Sequence, residues 1–208
     1  MKVALSMRVT GAVGYHEPRD SISHDWLSWL RDWNMTPFPI PNILADPAGY
    51  LSGIAPDLLV LTGGDDIGAT PERDAAERAM IDWAISGQVP VLGVCRGLQL
   101  INSYFGGTTA PVSGHVATRH RVRLGGAFAR YYGPEISTNS YHNQGIAPEG
   151  VGATLVVGGV DDDGHVEALH HDRHPIWAVM WHPERDGAPA GDVALMREMT
   201  ARTGAKTQ

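Results

Sequence analysis

The stretch Pro90-Val91-Leu92-Gly93-Val94-Cys95-Arg96-Gly97-Leu98-Gln99-Leu100-Ile101 decides how the chain folds. Pro90 to Val94 reads as a short buried strand, and Leu98, Leu100, Ile101 and Tyr104 carry a helical pattern directly after it. Between them, Gly93-Val94-Cys95-Arg96-Gly97 has the spacing of a nucleophile elbow with cysteine in place of serine. Glycines two residues either side remove side chains that would collide in so sharp a turn. The turn points the sulfur out at the carboxyl edge of the sheet, where open α/β folds bind ligands. The helix N-terminus favours the thiolate, the reactive form. Taken alone, the motif is also compatible with a buried structural cysteine.

Working outward, the first half keeps alternating strand and helix. Lys2 to Met7 and Asp57 to Leu61 read as buried strands, and Thr36 to Ile40 as another. Ser21 or Ser23 can cap a helix carrying Trp26, Leu27, Leu30 and Trp33. Thr70-Pro71-Glu72 starts a second helix, carrying Ala76, Met80, Trp83 and Ala84. Near-continuous apolar strands alternating with helices mean a mostly parallel sheet covered on both faces. In the second half, Arg119 to Leu124, Ala153 to Val157, Val166 to His170 and Ile176 to Trp181 read as later strands, some antiparallel, that join or flank the sheet. Val193 to Ala201 closes the chain as a helix, with a frayed tail from Thr203. The expected whole is one domain over residues 1–208.

A thiol nucleophile needs a base, and the base needs an acceptor for its second ring nitrogen. The strand Ile176 to Trp181 runs into His182-Pro183-Glu184. Residues two apart in an extended segment share a side, and Pro183 favours extended backbone at His182. Glu184 is therefore expected to orient His182. The tetrahedral intermediate also needs N–H donors. Arg96, next after the cysteine, offers one, and Gly64 in Thr62-Gly63-Gly64-Asp65-Asp66 offers the other, its glycines admitting close backbone approach.

The bulk composition limits the partners. A formal net charge of -7 gives no general attraction for nucleic acid or anionic lipid. A single cysteine cannot form an internal disulfide. No run approaches a membrane span and the N-terminus lacks a signal-peptide core, so a cytoplasmic protein is expected.

Thr62-Gly63-Gly64-Asp65, Gly93 to Gln99, Asn139-Ser140-Tyr141-His142 and Trp181 to Glu184, in this order, resemble the motifs of class I glutamine amidotransferase-like proteins. The resemblance implies a flavodoxin-like α/β fold with a small antiparallel flank, and a γ-glutamyl thioester on Cys95. It also implies substrate contacts from Gly63, Gln99, Asn139, Ser140, Tyr141 and His142. Members that feed ammonia to a synthetase usually carry leucine after the cysteine. Arg96 instead resembles the γ-glutamyl hydrolase, or peptidase C26-like, branch, whose members act alone, so no obligatory synthetase partner and no cofactor are expected. Within that branch, Glu17-Pro18-Arg19-Asp20, Gly63 to Gly68, Pro71 to Asp74 and Trp181 to Arg185 resemble the γ-glutamyl-CDP-amidate hydrolases of capsule phosphoramidate synthesis. A nucleotide-linked substrate needs cations, and Arg8, Arg19, Arg96 and Arg185 are the candidates.

The alternatives are a glutaminase subunit of a synthetase, a non-catalytic binding protein on the same fold, and a metal-dependent hydrolase using His170-His171-Asp172-Arg173-His174. That last segment, like Asp161-Asp162-Asp163, reads as a surface turn, and no metal site is expected. The stretch with His115, Arg119, His120, Arg121 and Arg123 fits either a solvated edge or a substrate mouth. The tryptophans are assigned to packing.

Overall fold

A computed structural model describes residues 1–204. Its strands are β1 (Lys2–Ser6), β2 (Arg8–Gly11), β3 (Pro18–Ser21), β4 (Thr36–Ile40), β5 (Leu58–Leu61), β6 (Val91–Val94), β7 (Ala110–Pro111), β8 (Val116–Leu124), β9 (Glu135–Tyr141), β10 (Gln144–Gly145), β11 (Leu155–Asp161), β12 (Val166–His171) and β13 (Ile176–Val179). Its helices are α1 (His24–Asp32), α2 (Pro47–Ile54), α3 (Pro71–Gly87), α4 (Arg96–Tyr104), α5 (Ala129–Tyr132) and α6 (Gly191–Gly204).

Alternation along the central strands divides the core into two layers. Val3, Leu5, Leu58, Val60, Leu92 and Val94 pack with Trp26 and Leu30 of α1 and with Leu195, Met196 and Met199 of α6. Ala4, Leu59, Leu61 and Val91 pack on the other face with Leu51 of α2, Met80, Ile81 and Ala84 of α3, and Leu98 and Ile101 of α4. The sheet runs β4-β1-β5-β6-β13-β12-β11-β8-β9. The strands from β4 to β13 are parallel, and β12, β11, β8 and β9 continue it antiparallel. This is the expected α/β fold, with a four-stranded flank.

The local signals act as expected at most element starts. Ser23 caps α1 by accepting from the Asp25 N–H at 3.2 Å. Thr70 makes no side-chain cap bond; its carbonyl accepts from Arg73 and Asp74 instead, and Pro71, Glu72 and Asp74 supply the rest of the helix start.

Several boundaries differ from the sequence expectation. β11 starts later than Ala153 and continues through Gly158-Gly159 to Asp161. The glycines do not end the strand because they make room: a Cβ on Gly158 would strike the Phe128 ring, and one on Gly159 would come within 2.5 Å of Leu124. β13 stops at Val179, short of Trp181. α6 runs past Ala201 to Gly204, and the remainder of the tail expected to fray, residues 205–208, lies outside the described residues.

Two features had no apolar signature. β9 buries Thr138, Asn139 and Ser140, polar residues that break the pattern of a buried strand. The hairpin of β2 and β3 is polar and mostly exposed; Asp20 ties it down by accepting from the Asn42 N–H at 2.8 Å and side-chain amide at 2.6 Å. Among the described residues no helix is long and apolar enough to cross a membrane.

Gly97 is where α4 meets β5, and a Cβ there would press into the Leu61 carbonyl. Gly97→Ala is expected to cost about 1–3 kcal/mol through overpacking. A denaturation midpoint equal to that of the parent chain would contradict this packing.

Candidate active site

β6 delivers the chain to Cys95, whose backbone sits at φ 53° and ψ -106°. A non-glycine residue at positive φ is strained unless its surroundings hold it. The Cys95 N–H donates to Val179 O at 2.9 Å, and its carbonyl accepts from Leu98 at 3.0 Å and Gln99 at 3.2 Å. The flanking glycines have the expected reason: a Cβ on Gly93 would lie 2.5 Å from Ile101 Cδ1 and 2.8 Å from Gly97 O.

Cys95 opens into a cleft of about 230 Å³ shared with Thr62, Gly63, Gly64, Tyr141, His182, Glu184 and Arg185. Gly63 faces the His182 ring so closely that a Cβ would stand 2.8 Å from Cε1. Gly64 adopts φ +146°, a conformation open to glycine. Of the two residues expected to donate to an oxyanion, Gly64 lines the cleft in the turn after β5 and Arg96 stands at the first position of α4, next to Cys95.

His182 and Glu184 meet, though not on an extended segment. The Arg185 N–H donates to His182 O at 3.2 Å, closing a turn with Pro183 at the position where its fixed φ fits. The turn folds the Glu184 carboxylate back, and Oε1 stands 2.7 Å from His182 Nδ1. Asn139 holds the other side: Oδ1 accepts from the His182 N–H at 2.8 Å, and Nδ2 donates to His182 O at 2.9 Å. Burial disfavours the imidazolium, but hydrogen bonds to Cys95 and Glu184 outweigh it, and the His182 pKa is pushed up to about 9.

The expected substrate contacts separate into two groups. Gly63 and Tyr141 line the cleft. Gln99, Asn139, Ser140 and His142 are buried and bonded elsewhere: Gln99 donates to Gln144 O, Ser140 to His115 O, and His142 Nδ1 faces Gln144 O. The cations separate as well. Arg8 and Arg185 line the cleft, with the Arg185 guanidinium 4.3 Å above the Tyr141 ring and Arg8 3.2 Å from Asp65. Arg19 pairs with Glu17 and the Tyr15 hydroxyl, outside the cleft. Arg96 corrects the expectation of a phosphate contact. Its guanidinium is buried and bonded to Glu77 and Asp74, because α3 presents two carboxylates beneath the elbow.

The sequence also left unread the ion network that Arg96 joins. Arg73 Nε donates to Glu77 at 2.9 Å, and its Nη2 donates to the carbonyls of Thr62 at 2.8 Å and Gly63 at 3.1 Å. The spacing Arg73-x-x-x-Glu77 is the one available sequence signal. Trp26, Ile22, Ser21 and Ser23 complete the cleft wall; Trp26 and the serines had been read only as core and cap residues. The segment from His170 corrects the expectation of a surface turn: His170 and His171 end β12, His171 is buried, and the turn follows, with His171 Nδ1 accepting from the N–H groups of Arg173 and His174. β8 lies inside the sheet between β11 and β9, with Arg121 paired to Asp162, so it is neither a free edge nor a wall of the cleft.

A sulfur beside an oriented imidazole, facing a pair of glycines, can carry acyl transfer. Comparison with known proteins agrees. The model of the family described as Peptidase C26 matches residues 16–184. The chain is 28% identical to the γ-glutamyl-CDP-amidate hydrolase of Campylobacter jejuni, over 95% of this chain and 96% of that protein. It is 30% identical to the γ-glutamyl-γ-aminobutyrate hydrolase of Escherichia coli O157:H7, over 71% and 72%. The structure of a glutamine amidotransferase from Thermotoga maritima superposes with a TM-score of 0.65 at 14% identity, covering 99% of this chain and 84% of that one; this shows the shared fold.

Two outcomes follow from the geometry. Glu77→Gln, which leaves Arg73 and Arg96 buried without their carboxylate, is expected to cost about 3–5 kcal/mol, read by chemical denaturation. The raised His182 pKa makes its charged form a folded-state contribution, fully present below the ordinary value of 6.5 and lost as pH rises through about 9. Stability should fall by on the order of 3 kcal/mol across that window, and His182→Gln should flatten the fall. An equal fall in the variant would contradict the assignment.

Proposed function

The chain belongs to the peptidase C26 family and is a hydrolase acting on amide bonds, and from that premise we propose that Cys95 cleaves a γ-glutamyl amide through a γ-glutamyl thioester. The observation that carries this reading is the contact between His182 and Glu184 beside Cys95 in one cleft. In this mechanism the Cys95 thiolate attacks the γ-carbonyl. The oxyanion accepts from the N–H groups of Gly64 and Arg96, and His182 gives its proton to the leaving amine. Water, deprotonated by His182, then attacks the thioester, and glutamate leaves. Glu184 orients the ring and stabilises its charge.

The substrate is a small γ-glutamyl compound, and the specific form favoured is γ-glutamyl-CDP-amidate, hydrolysed to cytidine diphosphoramidate and glutamate. Support comes from the near-complete overlap with the Campylobacter jejuni enzyme and from Arg8 and Arg185, two cations at the cleft that suit a diphosphate. The reading takes residues 1–208 as one cytoplasmic domain that works without a synthetase.

Incubating the purified protein alone with glutamine, other γ-glutamyl amides and γ-glutamyl-CDP-amidate, and measuring glutamate release, tests it. Release from the nucleotide substrate is expected. Arg8→Ala and Arg185→Ala should each raise its KM about tenfold or more while leaving KM for simple γ-glutamyl amides within about twofold. Release from glutamine only after a second protein is added would favour the glutaminase-subunit reading instead. Glu184→Gln should impair turnover less than His182→Ala, since a base contributes more than the group that orients it; equal losses would count against these roles.

A further inference from the structure

Outside the cleft, the antiparallel flank gathers a second set of chemically capable side chains. His115, His120, His142 and Glu167 each place one ligand atom within 4.8 Å of the others. Only His115 and His120 are near in sequence; the four come from the loop before β8, from β8, from just after β9 and from β12, so the sequence pattern did not reveal the set. Two strand irregularities aim them together. Glu167 is the extra residue where β12 skips a partner between Ala168 and Val166. Ala117, at φ 53°, is the extra residue of β8 between Val116 and Thr118, which turns the chain at His115 inward. Bulges of this kind re-aim side chains next to functional sites.

The hydrogen bonding around the cluster is incomplete in a specific way. His142 Nδ1 stands 3.0 Å from Gln144 O, so a proton lies on that nitrogen, and in the neutral ring the Nε2 lone pair points into the cluster. Nε2 approaches Glu167 Oε1 to 3.3 Å, yet neither atom has a hydrogen-bond partner. His115 Nδ1 and His120 Nδ1 are also unpartnered. Both His142 and Glu167 have side chains only 1% exposed. A lone pair facing a buried carboxylate is repulsive unless positive charge sits between them.

Two of the spacings match those between the ligands of one metal ion. Four ligands at bonds of about 2.0–2.1 Å in a tetrahedron stand about 3.3–3.4 Å from one another. His120 Nε2 lies 3.2 Å from Glu167 Oε2, and His142 Nε2 lies 3.3 Å from Oε1. The carbonyl behind His142 is the outer partner that fixes the tautomer of a metal-binding imidazole. Asp161 stands 3.5 Å from His115 Nε2 and is a carboxylate able to polarise that ring.

We propose that His115, His120, His142 and Glu167 bind one divalent transition-metal ion of the zinc type. Three imidazoles and a carboxylate fill all four positions, so the site is closed and structural rather than catalytic. Its position explains what it braces. The Glu167 carbonyl accepts from the Met180 N–H, two residues before His182, and the Ser140 hydroxyl donates to His115 O beside the Asn139 clamp. A metal here would stiffen both strands that hold His182.

The test uses the full chain, stripped by dialysis against a chelator and then titrated with Co2+ as a spectroscopic probe. About one equivalent is expected to bind, with the visible bands of a four-coordinate ion, to be displaced by Zn2+ and to raise Tm. His142→Gln and Glu167→Gln should reduce uptake to background. His120→Asn, at the less buried rim, should do the same and serves if the others fold poorly. Asp161→Asn should weaken binding by about 10–100-fold. Cys95→Ala should retain the full equivalent. Failure of the folded parent chain to take up cobalt would overturn the proposal. Uptake lost in Cys95→Ala and kept in His120→Asn would overturn it in favour of binding at the triad.

Discussion

The carboxylate of Glu77, buried between the guanidinium groups of Arg73 and Arg96, ties together the two backbone segments on which the site depends. Through Arg96 it fixes the first turn of α4, and with it the elbow at Cys95. Through Arg73 it reaches the carbonyls of Thr62 and Gly63, and so fixes the glycine turn that faces the sulfur. Asp74, paired with Arg96, also accepts from the Gly68 N–H at 2.7 Å and anchors the far end of that turn. Taking charges out of water is costly, and such an arrangement persists only when fully paired. In the proposed mechanism its benefit is alignment: donors aimed at a developing oxyanion lose their value when displaced.

This network gives Arg96 a different meaning from the one its sequence position suggested. As the residue after the cysteine it separates the hydrolase-like pattern from that of ammonia-supplying subunits, and a role on a phosphate was a natural inference. The structure turns its side chain away from the cleft and toward α3. In the proposed mechanism it offers the reaction its backbone N–H, at the first position of α4. The arginines that line the cleft are Arg8 and Arg185, the second stacked on Tyr141 beside the His182 ring.

The parallel half of the sheet was legible because β1, β5 and β6 are short apolar runs, each followed by a recognisable turn or helix start. The elbow was legible because steric crowding leaves glycine at Gly93 and Gly97. The flank was harder to read. β9 buries a hydroxyl and an amide that find partners only in the folded chain, Asn139 on the backbone of His182 and Ser140 on that of His115. Apolar periodicity cannot register such a strand. The pairing of His182 with Glu184 was anticipated, but by the wrong backbone: a turn closed on Arg185 makes the contact, and an extended segment does not. The histidine cluster of the flank is assembled by register and bulges, neither of which a linear pattern encodes.

The central claim is that Cys95 becomes acylated, and the most direct measurement is the mass of the protein quenched during turnover of a γ-glutamyl amide, followed by peptide mapping. The account predicts a single γ-glutamyl adduct, located on Cys95 and removed by hydroxylamine. Continued glutamate release at the parent rate by Cys95→Ala, with no adduct on the parent chain, would contradict it.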